Sequence, residues 1–256
     1  MRRLFVALAV LAATSASAAG ASPSDLVTRA LVLDPGEVAT RVAVEIGLSS
    51  GRLAQPLSVA PDAWIGVSPR LTIGLVHSNA SLDQIDARAT FCLRGDALSC
   101  DRAYRGSGID VRWSWREGSL AVAPRGRLVL RDLDPWKPAI TVGALARWTR
   151  GRYAITSDPY LRLGLANRER GNRAALFVPI WLGIQPAWRW LVALHTGWDT
   201  ELATWRDTWH VPLALEVVAR ATRRLDIGLA AGFPRLGGPQ NNINERAMSI
   251  TLAYRR

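Results

Sequence analysis

The sequence has a single lysine, Lys137, two cysteines and three histidines, and after residue 20 it has no long uncharged apolar run. A membrane helix needs about 18 consecutive apolar residues, so a helical membrane protein is excluded. Two Cys and three scattered His are too few ligands for a zinc site. No phosphate-binding loop, dinucleotide fingerprint, zinc motif or calcium loop is present, so neither a cofactor nor a metal is expected. A sustained 3.6-residue apolar period is also missing, which excludes a helical bundle. With 49% hydrophobic and 21% charged residues, disorder and coiled coil are excluded as well. What the chain has in quantity is arginine and tryptophan. Its 32 basic residues face 21 acidic ones, a formal charge of +11, and there are 11 Trp against 4 Phe and 4 Tyr. The arginines are scattered singly rather than gathered into a patch or helix stripe, which argues against nucleic acid as a partner.

Residues 1–19 read as a Sec-type signal peptide. Arg2 and Arg3 open it, Leu4 to Ala13 form the apolar run, and small residues from Ser15 to Ala19 supply the cleavage region. The run is too short for a membrane anchor. Export places the mature chain in an oxidising compartment, where Cys92 and Cys100 are expected to pair across a small loop. Such a staple is worth roughly 2–3 kcal/mol.

From residue 37 onward apolar residues alternate with polar or small ones. In Trp209 to Val217 the odd positions are large and apolar, while the even ones carry His210, Pro212, Ala214 and Glu216. Twelve runs of this kind predict strands over 37–48, 56–67, 71–78, 108–116, 119–131, 138–149, 152–166, 174–186, 188–198, 208–221, 224–233 and 245–255. Most exceed the usual soluble strand of about 5–6 residues and match the ~9–11 that a tilted transmembrane strand needs. Tight turns at 68–70, 117–118, 150–151, 186–187 and 222–223 alternate with longer loops at 49–55, 79–107, 132–137, 167–173, 199–207 and 234–244. Short turns on one side and long loops on the other, with an even strand number, predict a twelve-stranded antiparallel up-and-down transmembrane β-barrel. Residues 20–36 form a periplasmic lead and residues 37–256 the barrel. Trp113, Trp115, Trp148, Trp188 and Trp190 fall near tight turns, and Trp198 and Trp209 near loops. These are the positions of two interfacial girdles. Gly66, Gly74, Gly143, Gly164, Gly183 and Gly228 on the polar face suit a crowded interior.

With its signal peptide, alternating strands, alternating turns and loops, and a last strand ending at Tyr254, the sequence resembles Gram-negative outer-membrane β-barrel proteins of the porin-like class. Arg255 and Arg256 follow Tyr254, where the class usually ends on the aromatic residue. The resemblance implies an outer-membrane location with both termini periplasmic, lipid around the wall and insertion by the barrel assembly machinery. It also implies small solutes as partners and, as in many porins, a homo-oligomer.

The polar face would line the lumen with Arg41, Arg112, Arg125, Arg127, Arg131, Arg147, Arg162, Arg189 and Arg220, opposed by Glu45, Asp62, Asp110, Asp158, Glu216 and Asp226. Rings of basic side chains favour anions, so a passive channel for small, anionic solutes is one expectation. A plugged structural or surface-binding barrel, its lumen filled by ion pairs, is the other, because twelve strands lie between filled and open barrels. A soluble periplasmic barrel and a barrel lipase are further alternatives. Like charges two residues apart, as in Arg125 and Arg127, repel unless acids, water or an anion lie between them. Replacing both by Glu is expected to change ion selectivity rather than prevent folding. Loop 79–107 is the longest and highly charged. His77-Ser78-Asn79 is the best local candidate for a lipase site, but adjacent strand residues point to opposite faces. No enzymatic role is therefore expected, and His195 and His210 read as hydrogen-bonding groups on the polar face.

Overall fold

The computed structural model describes residues 26–49, 53–78, 91–94 and 103–256. Fourteen strand segments lie among them. They are β1 (Val38–Gly47), β2 (Leu57–Ser68), β3 (Leu71–Val76), β4 (Phe91–Arg94), β5 (Ser107–Trp113), β6 (Leu120–Leu133) and β7 (Trp136–Arg150). Next come β8 (Tyr153–Ser157), β9 (Tyr160–Gly164), β10 (Ala175–Ala187), β11 (Trp190–Glu201), β12 (Val211–Arg220), β13 (Leu225–Gly237) and β14 (Ala247–Arg255). The wall is antiparallel throughout, and β1 pairs with both β2 and β14, which closes the sheet. Closure leaves no unpaired edge, the condition for a sheet in lipid.

The segments make twelve staves. β8 and β9 are one stave: Ser157 and Tyr160 keep the same register against β7 (Ala146 and Gly143) and against β10 (Ile180 and Phe177). Pro159 has no N–H to give the ladder, so the pairing pauses there and resumes. β4 prolongs β3 along β2, pairing at Val59 and Leu57 where β3 has left the wall. It was not expected from the sequence, being only four residues inside loop 79–107. The rest of that expected loop includes residues 79–90 and 95–102, which lie outside the described residues, and so do Cys100, Asn79 and the expected signal peptide. The expected loop 132–137 is instead a tight connection, because β6 and β7 run on to Leu133 and Trp136, which pair with each other.

Alternation separates the faces. Outward positions carry Ile65, Ile73, Val142, Leu182, Leu215, Leu229 and Leu252, all exposed. These large apolar side chains belong against acyl chains, since in water such a continuous surface would aggregate. Inward positions are small or polar. Gly74 is an example: a Cβ there would stand 2.1 Å from the Trp64 indole, which lies across it inside the barrel.

Part of the lead expected over residues 20–36 enters the barrel, between Leu26 and Leu33. Val27, Val32 and Leu33 are buried, and Leu33 joins an interior cluster with Trp64, Val76, Val129 and Ala139. A short 3-10 turn at Leu26–Thr28 starts this strap.

Candidate functional site

Most of the buried charged residues lie on the lumen wall from β1 to β10, and their organising group is Asp110 on β5. Fully buried, its carboxylate accepts from Trp64 Nε1 (2.8 Å), Arg112 Nε (2.7 Å) and Arg125 Nε (2.5 Å). Arg125 Nη1 also bonds Asp158. It reaches that stave across β7 at Gly143, which pairs with Arg125 on one side and Tyr160 on the other and puts no side chain in the way. One guanidinium is thus held between two acids, the geometry in which a buried arginine is stable.

Arg127, two residues on, has a different setting. Its Nε donates to Thr141 Oγ1 at 2.8 Å, and its guanidinium lies 4.3 Å over the Tyr160 ring. Tyr160 stacks on Phe177 with centroids 4.7 Å apart, and Arg162 sits 5.1 Å over Phe177. Toward the long loops Arg131 donates to Gly171 O and Asn172 Oδ1, each at 3.2 Å. Arg41 bonds Asp62 at 2.6 Å and Ser78 Oγ at 2.8 Å, and both Arg41 and Arg112 lie over the Trp64 ring. The wall is therefore a ladder of guanidiniums interleaved with aromatic faces, each such contact being worth about 0.5–2 kcal/mol. Arg125 and Arg127, two residues apart, have different settings: two acids hold Arg125, while Arg127 bonds Thr141 and lies over the Tyr160 ring.

Other expected lumen residues are placed as follows. Glu45 is buried on β1 and pairs in register with Ser58. Glu216 on β12 accepts from His195, with Nε2 at 2.7 Å. Trp181 Nε1 donates to His195 Nδ1 at 2.9 Å, so the histidine proton sits on Nε2. Arg147 and Arg220 are buried on inward positions near the short-turn end. Arg189 is not in the lumen. It is exposed in the β10–β11 turn, its guanidinium 4.6 Å over Trp188. Turn backbone leaves strand parity, so alternation carried into the turn misplaces this residue.

Trp113, Trp115, Trp148, Trp188 and Trp190 stand exposed at the short-turn end, while Trp198 and Trp209 are half-buried at the other. Trp64 and Trp181 point inward instead. Trp64 shares parity with Asp62 and Trp181 with Gln185, a signal present in the sequence. Cys92 is on β4; its expected partner Cys100 is outside the described residues. The lipase candidate does not assemble: Ser78 Oγ donates to Asp62 at 2.6 Å, while His77 Nδ1 meets Pro61 O at 2.6 Å.

No family model matches the chain, and no curated protein sequence matches it. Solved structures do match in fold. KdgM porin in complex with disordered oligogalacturonate superposes with a TM-score of 0.56 at 5% identity, covering 84% of this chain and 98% of that one. NanC porin gives 0.56 at 9% identity, over 83% and 98%. An outer-membrane channel from Pseudomonas putida F1 gives 0.56 at 10% identity, over 88% and 97%. The fold is that of the outer-membrane porins. At these identities the porin likeness extends to the architecture, and the side chains inside the barrel are this chain's own.

Proposed function

We propose that the protein is a passive outer-membrane channel for small anionic solutes, with both termini on the periplasmic side. The observation that carries this reading is the ladder of Arg112, Arg125, Arg127 and Arg162 along one lumen wall. Of the expected lumen set without Arg189, eight arginines face six carboxylates, Glu45, Asp62, Asp110, Asp158, Glu216 and Asp226, an excess of two positive charges. In a low-dielectric wall such an excess draws anions into the lumen. KdgM, which shares the fold, has been seen with an oligogalacturonate, and carboxylate-bearing sugars are the kind of solute that guanidiniums and aromatic faces would take here. The seven girdle tryptophans anchor the wall in lipid under this reading. Insertion by the barrel assembly machinery and a homo-oligomeric state belong to it too.

The test is single-channel recording of the refolded mature protein in a planar bilayer under a salt gradient. Discrete steps with a reversal potential on the anion side are expected. A barrel that inserts, shifts in gel mobility on boiling and stays silent would instead make it a plugged structural barrel, its ion pairs serving only as filling.

A further inference from the structure

The strap crosses the whole width of the barrel. At its start Val27 N donates to Gln185 Oε1 on β10 at 3.1 Å. At its end Leu33 N donates to Thr72 Oγ1 on β3 at 2.8 Å, and the Leu33 and Asp34 carbonyls press on Gly66 of β2, where a Cβ would come within 1.9 Å of Asp34 O. Around the ring, β3 and β10 are five staves apart in a barrel of twelve, so these anchors lie nearly opposite one another. Between them Arg29 Nη1 meets Asp226 on β13 at 2.5 Å, and the Arg29 carbonyl accepts from Arg147 Nη1 on β7, again on opposing sides. Gln185, Thr72, Gly66, Asp226 and Arg147 all lie within three residues of the short-turn ends of their strands. A segment tied on four sides at one level is a chord across the mouth.

The chord is basic. Arg29 and Arg255 are close enough to Arg147 to repel it, and the Arg147 Nε atom is buried without a hydrogen-bond partner. Arg220 lies 3.9 Å from Asp226, and Arg255 is 2.9 Å from Glu37. Four guanidiniums, of Arg29, Arg147, Arg220 and Arg255, thus stand with three carboxylates, of Asp34, Glu37 and Asp226.

We propose that residues 26–34 and these mouth arginines form the constriction that sets the size and charge of the solutes passing the short-turn end. This rests on the channel reading, and the experiment separates the two. Wild type, a variant lacking residues 26–34, and the full-length Arg29→Ala/Leu33→Ser variant are refolded, checked for heat-modifiable gel mobility, and compared in planar bilayers and in liposome swelling with solutes of graded size. The expected result is a unitary conductance at least about two-fold higher, and a larger size limit, once the strap is removed or loosened. Loss of Arg29 should also lower anion preference, since Asp226 loses its partner. A silent wild type with conducting variants would overturn both readings, since the strap would then be a plug that passes no solute. Equal conductance and size limit in all three would overturn the strap and leave the channel standing. Three inserted but silent proteins would overturn the channel reading and the strap's role with it. If the deletion fails to fold, the full-length variant alone decides among these outcomes.

Discussion

Arg125 and Arg127 differ by two positions and share a face, yet the structure gives them different work. Removing the charge at Arg125 leaves Asp110 and Asp158 buried with their shared cation gone, a change that costs about 3–5 kcal/mol. Arg125→Gln should therefore lower the urea midpoint of the refolded barrel sharply, and Arg125→Glu should abolish the heat-modifiable form. The Arg127 contacts with Thr141 Oγ1 and the Tyr160 ring are to neutral groups, so Arg127→Gln should lower the urea midpoint less than Arg125→Gln does and shift the reversal potential toward zero. Two buried acids at Arg125 stand against the expectation that both could be inverted without harm, and a Glu at 127 would face buried Asp110 across the β5–β6 ladder. The sequence showed both to be on the polar face but not which acids they reach, because Asp158 lies two staves away from Arg125. Gly74 is a third residue-scale test. A methyl group there meets the Trp64 ring, so Gly74→Ala should destabilise the barrel by roughly 1–3 kcal/mol, read as a lower urea midpoint.

For the strands, sequence and structure agree closely, because a wall with lipid on one side and a crowded lumen on the other forces a period of two that is visible residue by residue. All twelve expected runs correspond to staves, and the pause at Asp158 and Pro159 falls inside the single run 152–166. What alternation could not show is what depends on tertiary contact. β4 is too short to declare a period, the β6–β7 connection tightens because Leu133 and Trp136 pair, and the strap has no period at all since it crosses the lumen rather than joining the wall. Parity supplies its own test on β13. Leu229 faces outward near mid-wall and Ala230 faces inward. Leu229→Arg should cost about 2–4 kcal/mol of stability in bilayers, read by folding titration in lipid vesicles, whereas Ala230→Arg should fold in the same titration and change the unitary conductance.

For the whole barrel, charge is distributed unevenly around the lumen. The ladder and its acids occupy β1 to β10, while beyond Asp226 and Arg255 at the mouth the inward positions of β13 and β14 include Gly228, Ala230, Gly232, Ser249, Thr251 and Ala253. An anionic solute should therefore travel against one wall, and selectivity should respond to Arg127→Gln far more than to Ser249→Ala on the opposite side. Reversal potentials of the two variants under the same salt gradient check this.

The strap also has a consequence in time. Its anchors come from β3, β7, β10 and β13, whose residues run from Thr72 to Asp226 along the chain, and their positions around the mouth exist only once β14 has met β1. The first described residues of the protein are therefore among the last to find their place. On this geometry the mouth is expected to stand unstrapped during assembly and to narrow only when Arg29 reaches Asp226.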